Sequence, residues 1–231
     1  KTVRLKIFHL GDFLPLSDIV PMLENLGMRV IGEHPYQIHA QDHPLCTIQD
    51  FNLLYSDSLD LNRVGDVFEE SFIRIWYGDA EDDGLNRLVL ATRKNWRQIS
   101  ILRAYSRYLK QIRLEFSQKF IADTLLKHVE ITSLLIEFFI LKFSVVDVTE
   151  DHSQELDHAS QAIRQLLENV SLLNEDRILR RYLELMENTF RTNFFQHDSD
   201  GRIKPYISLK IDARNLSGIP EPKPNFEIFV Y

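Results

Sequence analysis

The sequence predicts an α+β chain with a mixed N-terminal unit, a helical centre and a short β ending. Three observations carry that reading. Prolines stand at 15, 21, 35 and 44 and then not again until Pro205. From Leu85 to Asp200 there is neither proline nor glycine, and a stretch that rich in Leu, Ile, Arg, Glu and Lys is most simply helical throughout. The two ends alternate instead with period two: Val3, Leu5 and Ile7 against Arg4, Lys6 and Phe8, then Phe226, Ile228 and Val230 against Glu227 and Phe229.

Taken in order, "VRLKIFHL" is a strand and Gly11 and Asp12 begin a turn. "LSDIVPMLENLG" is a helix with Ser17 as its N-cap, Asp18 in the first turn and Gly27 as its C′ stop. Pro21 is tolerated because it lies near the helix start. "MRVIGEHPYQIHA" and "CTIQDFNLLYS" are two strands of a hairpin joined by "QDHP". Asp57 or Ser58 then caps a helix whose Leu61, Val64, Phe68, Phe72 and Ile75 share one face. The order β-α-β-β-α is one strand short of a ferredoxin-like split βαβ unit.

The centre reads as a bundle. One apolar stripe runs from Trp96 through Ile99, Tyr105, Leu109 and Ile112 to Phe116, and a second covers Ile131 to Phe143. "VVDVTEDHSQ" connects to a helix with Ile163, Leu166, Leu167 and Val170. Asn174 caps a last helix, with Glu175 and Asp176 favoured in its first turn by the dipole. That helix reaches Phe195 and buries Ile178, Leu179, Tyr182, Leu183, Met186 and Phe190. "HDSDG" is a turn, and "IKPYISLKID" and "FEIFVY" are a strand pair. Two strands alone make no stable sheet, so these rest on the other segments or belong to a larger sheet. The expected division is 1–90, 91–196 and 197–231. A chain that begins at Lys1 and stops at Tyr231 inside strands reads as a piece of a longer one.

Composition narrows the function classes. The chain has 231 residues, 44% hydrophobic and 26% charged, enough for a sizeable core. A net charge of −7 disfavours a nucleic-acid partner, which calls for a basic excess. The single Cys46 permits no internal disulfide and suits a reducing cytoplasm. The most apolar run, "SLLIEFFILKF", is broken by Glu137 and Lys142 and falls short of the ~20 residues that span a bilayer, so no membrane is expected.

Candidate chemistry is sparse. No two of the eight glycines are separated by one residue, so the dinucleotide fingerprint G-x-G-x-x-G cannot occur, and the phosphate-binding loop is missing too. His34, His39, His43 and Cys46 crowd one hairpin, but their spacings match no zinc finger. "DAEDDG" and "DSDG" lack the glycine and glutamate positions of a calcium loop and read as turns. Arg177, Arg180 and Arg181 lie opposite the apolar face of their helix, as a solvated or ion-paired face with Glu184 and Glu187, or as a surface gripping another part of a longer protein. No catalytic, cofactor-binding or metal-binding residue is assigned. The residues alone give a regulatory or structural α+β piece.

Four blocks carry a resemblance: "LSDIVPMLENLGMRVIGEHPYQI", "NWRQISILRAYSRYLKQ", "EDRILRRYLELMENTFRTNFFQ" and "KPYISLKIDARNL…PEPKPNFEIFVY". In that order they resemble the large bacterial NAD-dependent glutamate dehydrogenases, just upstream of and entering the catalytic region. The resemblance implies an ACT-like unit at the N-terminus, short of its closing strand, of a kind that mediates regulation by amino acids and subunit contacts. It implies an amino-acid effector at the turn of Gly11 and Asp12, where helix-start N–H groups favour a carboxylate. It also implies a parent that uses NAD and glutamate, assembles as a homo-oligomer, and keeps its catalytic residues beyond Tyr231. The alternative is a non-enzymatic amino-acid-sensing or scaffold protein.

Overall fold

The computed structural model describes residues 2–55, 61–144, 150–219 and 221–231. They form two compact units, Lys1–Trp96 and Arg97–Tyr231. The architecture is α+β, as the sequence predicts.

The first unit runs β1 (Thr2–Leu10), α1 (Leu16–Asn25), β2 (Arg29–Ile38), β3 (Cys46–Leu54), α2 (Leu61–Trp76) and α3 (Arg87–Thr92). Its antiparallel sheet has the order β1-β3-β2. The hairpin pairs locally, and β1 takes the other side of β3. Val3 lies opposite Leu53 and Leu5 opposite Phe51. Both β3 residues are fully buried. Along β1 the half-buried residues are Val3, Leu5, Ile7 and His9, while Arg4, Lys6 and Phe8 are exposed, as the alternation predicts. Val64, Phe68, Phe72 and Ile75 of α2 are buried on one face. The proposed caps Asp57 and Ser58 lie outside the described residues, as does the side chain of Leu61.

The start of α1 differs from expectation. Pro15, not Ser17, is the N-cap, with φ −61° and no side-chain bond. The proline ring presets an extended cap, and Ser17 turns to Asp18 instead, Oγ donating to its carboxylate at 3.2 Å. The stop is as read: Gly27 has φ +90°, and the N–H groups of Gly27 and Met28 bond to the carbonyls of Glu24 and Leu23 at 2.9 Å. These two bonds form a Schellman motif, which needs the left-handed residue that glycine supplies.

The second unit runs α4 (Trp96–Gln111, its first residue closing the first unit), α5 (Gln118–Lys127), α6 (Val129–Ser144), α7 (Glu150–Leu167), α8 (Leu173–Glu187), β4 (Thr189–Thr192), β5 (Ser208–Ile211) and β6 (Glu227–Val230). Tyr105 is central to its core. Its ring meets Phe139 edge-on at 6.1 Å and Tyr182 at 6.5 Å. Its hydroxyl bonds Thr189 Oγ1 at 2.8 Å, and Tyr182 donates to the Leu102 carbonyl at 3.1 Å, so both buried hydroxyls are satisfied.

Several expectations about the second unit are corrected here. The helix read as extending to Phe195 stops at Glu187, and Phe190 lies in β4, 54% exposed. Local side chains end it: Asn188 Nδ2 donates to the Glu184 carbonyl at 2.8 Å and Thr189 Oγ1 to that of Leu185 at 2.7 Å. From α6, Lys142 Nζ reaches the carbonyls of Met186 at 2.9 Å and Glu187 at 2.6 Å. With the last carbonyls occupied, the backbone turns into a strand. The expected strand pair is therefore a three-stranded antiparallel sheet, β4-β5-β6. Its middle strand is shorter than "IKPYISLKID", because Pro205 has no N–H for a ladder.

The stripe from Trp96 to Phe116 belongs to α4 only as far as Gln111. Arg113 has φ +62° and breaks it, and Ser117 Oγ accepts the Phe120 N–H at 3.1 Å to start α5. Part of the expected connection "VVDVTEDHSQ" is helical from Glu150 on, and residues 145–149 lie outside those described. Leu172 rather than Asn174 is the N-cap of α8, while Glu175 and Asp176 do occupy its first turn.

Candidate functional site

The turn after β1 is rigidly held by β3. Gly11 has φ +105°, and its N–H bonds the Leu45 carbonyl at 2.7 Å, tying the turn to the hairpin loop. Thr47 Oγ1 reaches the carbonyls of His9 at 3.3 Å and Asp12 at 3.5 Å. His9 Nδ1 lies 3.1 Å from the Asp12 carbonyl. The Gln49 amide brackets Leu14, accepting its N–H at 3.0 Å and donating to its carbonyl at 3.1 Å. Thr47 and Gln49 are themselves buried. The structure thus brings Gly11 and Asp12 to the start of α1, with their neighbours' backbone groups bound by two β3 side chains. Sequence reading missed Thr47 and Gln49. Their signal was a polar residue at alternate positions of an otherwise apolar strand face.

The hairpin polar residues separate. His34 lies opposite Asp50 and Cys46 opposite Ile38. Among the described residues, no group of three His, Cys, Asp or Glu side chains could hold a metal ion. Asp50 is buried and bound by Arg4, whose pKa it raises.

In the second unit the arginines of α8 line a cleft of 640 Å³ with Arg164, Glu184, Glu187 and Ser217. Arg180 binds Asp176 at 2.7 Å and Glu168 at 3.0 Å. Arg181 binds Glu184, as expected, and also Ser217 Oγ at 2.6 Å. Glu187 pairs instead with Arg164 at 2.7 Å. Arg177 lies over the Phe116 ring at 5.9 Å. Only 12% of the Arg181 side chain is exposed, so it is not part of a solvated face.

Two further charged groups lock the bundle. Glu175 receives Lys127 Nζ at 2.8 Å and lies 2.8 Å from His128 Nε2, and these bonds, Lys127's first, lower its pKa. Lys142, desolvated in the bundle, has its pKa lowered to about 8. Among the described residues, no helix is long and apolar enough to cross a membrane.

Three family models match in order along the chain: the glutamate dehydrogenase ACT3 domain over residues 1–64, glutamate dehydrogenase helical motif 3 over 80–145, and the bacterial NAD-glutamate dehydrogenase catalytic domain over 162–231. The first covers the β1-β3-β2 sheet, and the last includes α8 and the second sheet. NAD-specific glutamate dehydrogenases of Halomonas elongata and Pseudomonas aeruginosa are 46% and 43% identical over 99% of this chain. That of Mycobacterium tuberculosis is 30% identical over the same share. The chain spans 14% of the length of each of these relatives. Over nearly its whole length the chain is thus similar to a part of the bacterial NAD-specific glutamate dehydrogenases.

Proposed function

We propose that the chain is an internal segment of an NAD-dependent glutamate dehydrogenase, the cytoplasmic enzyme that oxidises L-glutamate to 2-oxoglutarate and ammonia. The observation that carries this is the collinear series of ACT3, helical-motif and catalytic-domain matches. Within the parent, residues 1–90 act as a regulatory unit and subunit contact in a homo-oligomer. Residues 91–196 link it to the first catalytic strands in 197–231, with α7 and α8 shared between linker and catalytic part. The turn of Gly11 and Asp12 is the proposed place for an amino-acid effector, whose carboxylate would face the start of α1.

The segment on its own is proposed to be inactive. Hydride transfer needs a nicotinamide held over the substrate's α-carbon and a base for the amine proton. The chain has no glycine pattern for a dinucleotide. NADH absorbance with glutamate tests this on two proteins side by side. We expect no turnover from residues 1–231 and turnover from the full-length polypeptide. Turnover by the segment would overturn its inactivity, and a silent full-length protein would favour a non-enzymatic scaffold. Calorimetry with an amino-acid panel tests the effector turn, and no heat with any of them overturns it.

A further inference from the structure

The sheet of the first unit has two edge strands, and they are built differently. β2 carries Pro35 and a bulge between Val30 and Gly32, two devices that keep an edge from pairing further. β1 has neither: its nine residues run in unbroken register with β3 from Thr2 to Leu10. Among the described residues no strand pairs with its outer edge, and after α2 the chain continues into α3 rather than into a closing strand. The two charges on β1 do not guard that edge, because both lean inward on the buried Asp50: Arg4 binds it, and Lys6 lies 3.9 Å away.

A cleft lies beside the same edge. It encloses 190 Å³ between β1 and α2, walled by Val3, Leu5, Leu53, Val64, Phe68 and Leu90. A dry apolar cavity of about 150 Å³ takes a benzene ring, so this one has room for a large apolar side chain. Gly65 also lines it, and a Cβ added there would meet nothing within 4 Å.

We propose that β1 of a second copy of this chain adds antiparallel to β1, joining the two sheets into one, and that Ile7 of each copy enters the cleft of the other. The pairing is isologous, so a single strand supplies both the free edge and the side chain that fills the neighbouring cleft. The register that uses all nine residues sets Thr2 opposite Leu10, Leu5 opposite Ile7 and Arg4 opposite Phe8 of the second copy. Val3, Leu5 and Ile7 share the half-buried face of β1, so Ile7 of the second copy arrives beside Leu5 at the mouth of the cleft. Arg4 meets the ring of Phe8, which is 66% exposed in the single copy, and a cation over an aromatic face is attracted. The symmetry axis falls at Lys6, where Asp50 of each chain offsets the like charges. The inference rests on the proposed homo-oligomer of the parent and assigns one of its contacts.

Disulfide trapping on the full-length polypeptide tests it. Lys6→Cys puts two sulfurs at the axis, on Cβ atoms about 4.5–5.5 Å apart in the proposed pair, close to the disulfide range. The Lys6 side chain is 54% exposed, so its replacement leaves the fold intact. After mild oxidation we expect a covalent dimer whose linked peptide joins position 6 of one copy to position 6 of the other. Adding Gly65→Leu fills the cleft from inside and should cut the yield of that link about tenfold, the size of effect overpacking gives. The unfolding temperature should stay equal or rise, since leucine forms helix better than glycine. An assembled full-length protein in which position 6 stays unlinked would overturn the proposal and leave the homo-oligomer reading standing. A link from position 6 to a cysteine of the same polypeptide would show that an internal strand takes the edge, and would equally overturn it. So would a yield that Gly65→Leu leaves unchanged. A full-length protein that is monomeric in solution would overturn the homo-oligomer reading and this contact together.

Discussion

The described residues hold two three-stranded antiparallel sheets built on different principles. The first has strands of 9, 10 and 9 residues, so its register is fixed by long ladders and by one buried face. The second has three strands of four residues each. Ladders that short hold little, and side chains do the fixing. Tyr105 bonds Thr189 of β4, and Tyr108 donates to Glu227 of β6 and packs edge-on against Phe229 at 5.5 Å. Asn193 accepts the Ser208 N–H at 2.6 Å, and Arg181 holds Ser217 in the β5–β6 connection. One sheet is specified by periodicity, the other by distant polar partners.

The largest expected effect tests that contrast at its centres. Phe51, fully buried in β3, should cost about 3–5 kcal/mol when truncated to Ala. Phe190 of β4 is 54% exposed and touches Phe226 at the sheet surface, so Phe190→Ala should cost about 1 kcal/mol or less. Urea melts of the two variants decide it. Equal losses would mean that Phe190 is covered and adds to the buried face that Leu209 and Ile211 already give the second sheet.

The same contrast explains what was legible in the sequence. The first sheet, its hairpin, the Gly27 stop and the apolar face of α2 all follow from local periods and a single left-handed residue. The strand β4 does not, because Phe190 follows Met186 by four residues and continues the helical pattern of Ile178, Tyr182 and Met186. What cancels that pattern is Lys142, 44 residues earlier, together with Asn188 and Thr189. A sequence window does not contain that information. The turn after β1 is similar: Gly11 and Asp12 announce a turn, but Thr47 and Gln49, which hold it, are about 35 residues away. Arg181 looked like one of three surface arginines until Ser217 closed over it.

The second expected effect concerns how α8 ends. Lys142 has its pKa lowered to about 8 from a model-peptide value of 10.5, with desolvation as the largest cause. Folded, it holds its proton less tightly than when unfolded. Between about pH 8 and 10.5 the unfolded chain therefore binds more protons, and stability rises with pH. Below pH 8 the full cost of burying the charge is present. At about 1.4 kcal/mol per pKa unit, the gain over that window is up to about 3 kcal/mol. It should vanish in Lys142→Met, measured as the difference between the two proteins' denaturation free energies across pH. A parallel pair of curves would mean that water reaches Lys142 and that β4 begins without it.

A third, smaller effect isolates the clamp on β4. Thr189→Val keeps the shape and removes the oxygen shared by Tyr105 and the Leu185 carbonyl. The Tyr105 hydroxyl, fully buried, is left unsatisfied, at a cost of about 1–3 kcal/mol. Tyr105→Phe in the Thr189→Val background should restore part of that loss, because both polar partners are then gone. No restoration would show that the hydroxyl finds another acceptor, and that the second sheet depends less on this bond than on its packing.

The smallest effect separates two neighbouring arginines that composition cannot tell apart. Arg180 has two acidic partners, yet its side chain is 41% exposed and Glu168 is 73% exposed. Exposed pairs are screened by solvent and salt and contribute about 0–1 kcal/mol, so Arg180→Ala should change stability by no more than that, and by less still in high salt. Arg181 is 12% exposed and holds Ser217, next to Gly218, where an added Cβ would come within 2.6 Å of its Nη2. Arg181→Ala should therefore exceed Arg180→Ala and resist salt, and it should speed amide exchange in β5 and β6 while leaving β1 to β3 unchanged. If Arg180→Ala proves the more damaging, the ion pair along α8 matters more than the clamp on the β5–β6 connection. The second sheet would then be held by its helix surface rather than by its loop.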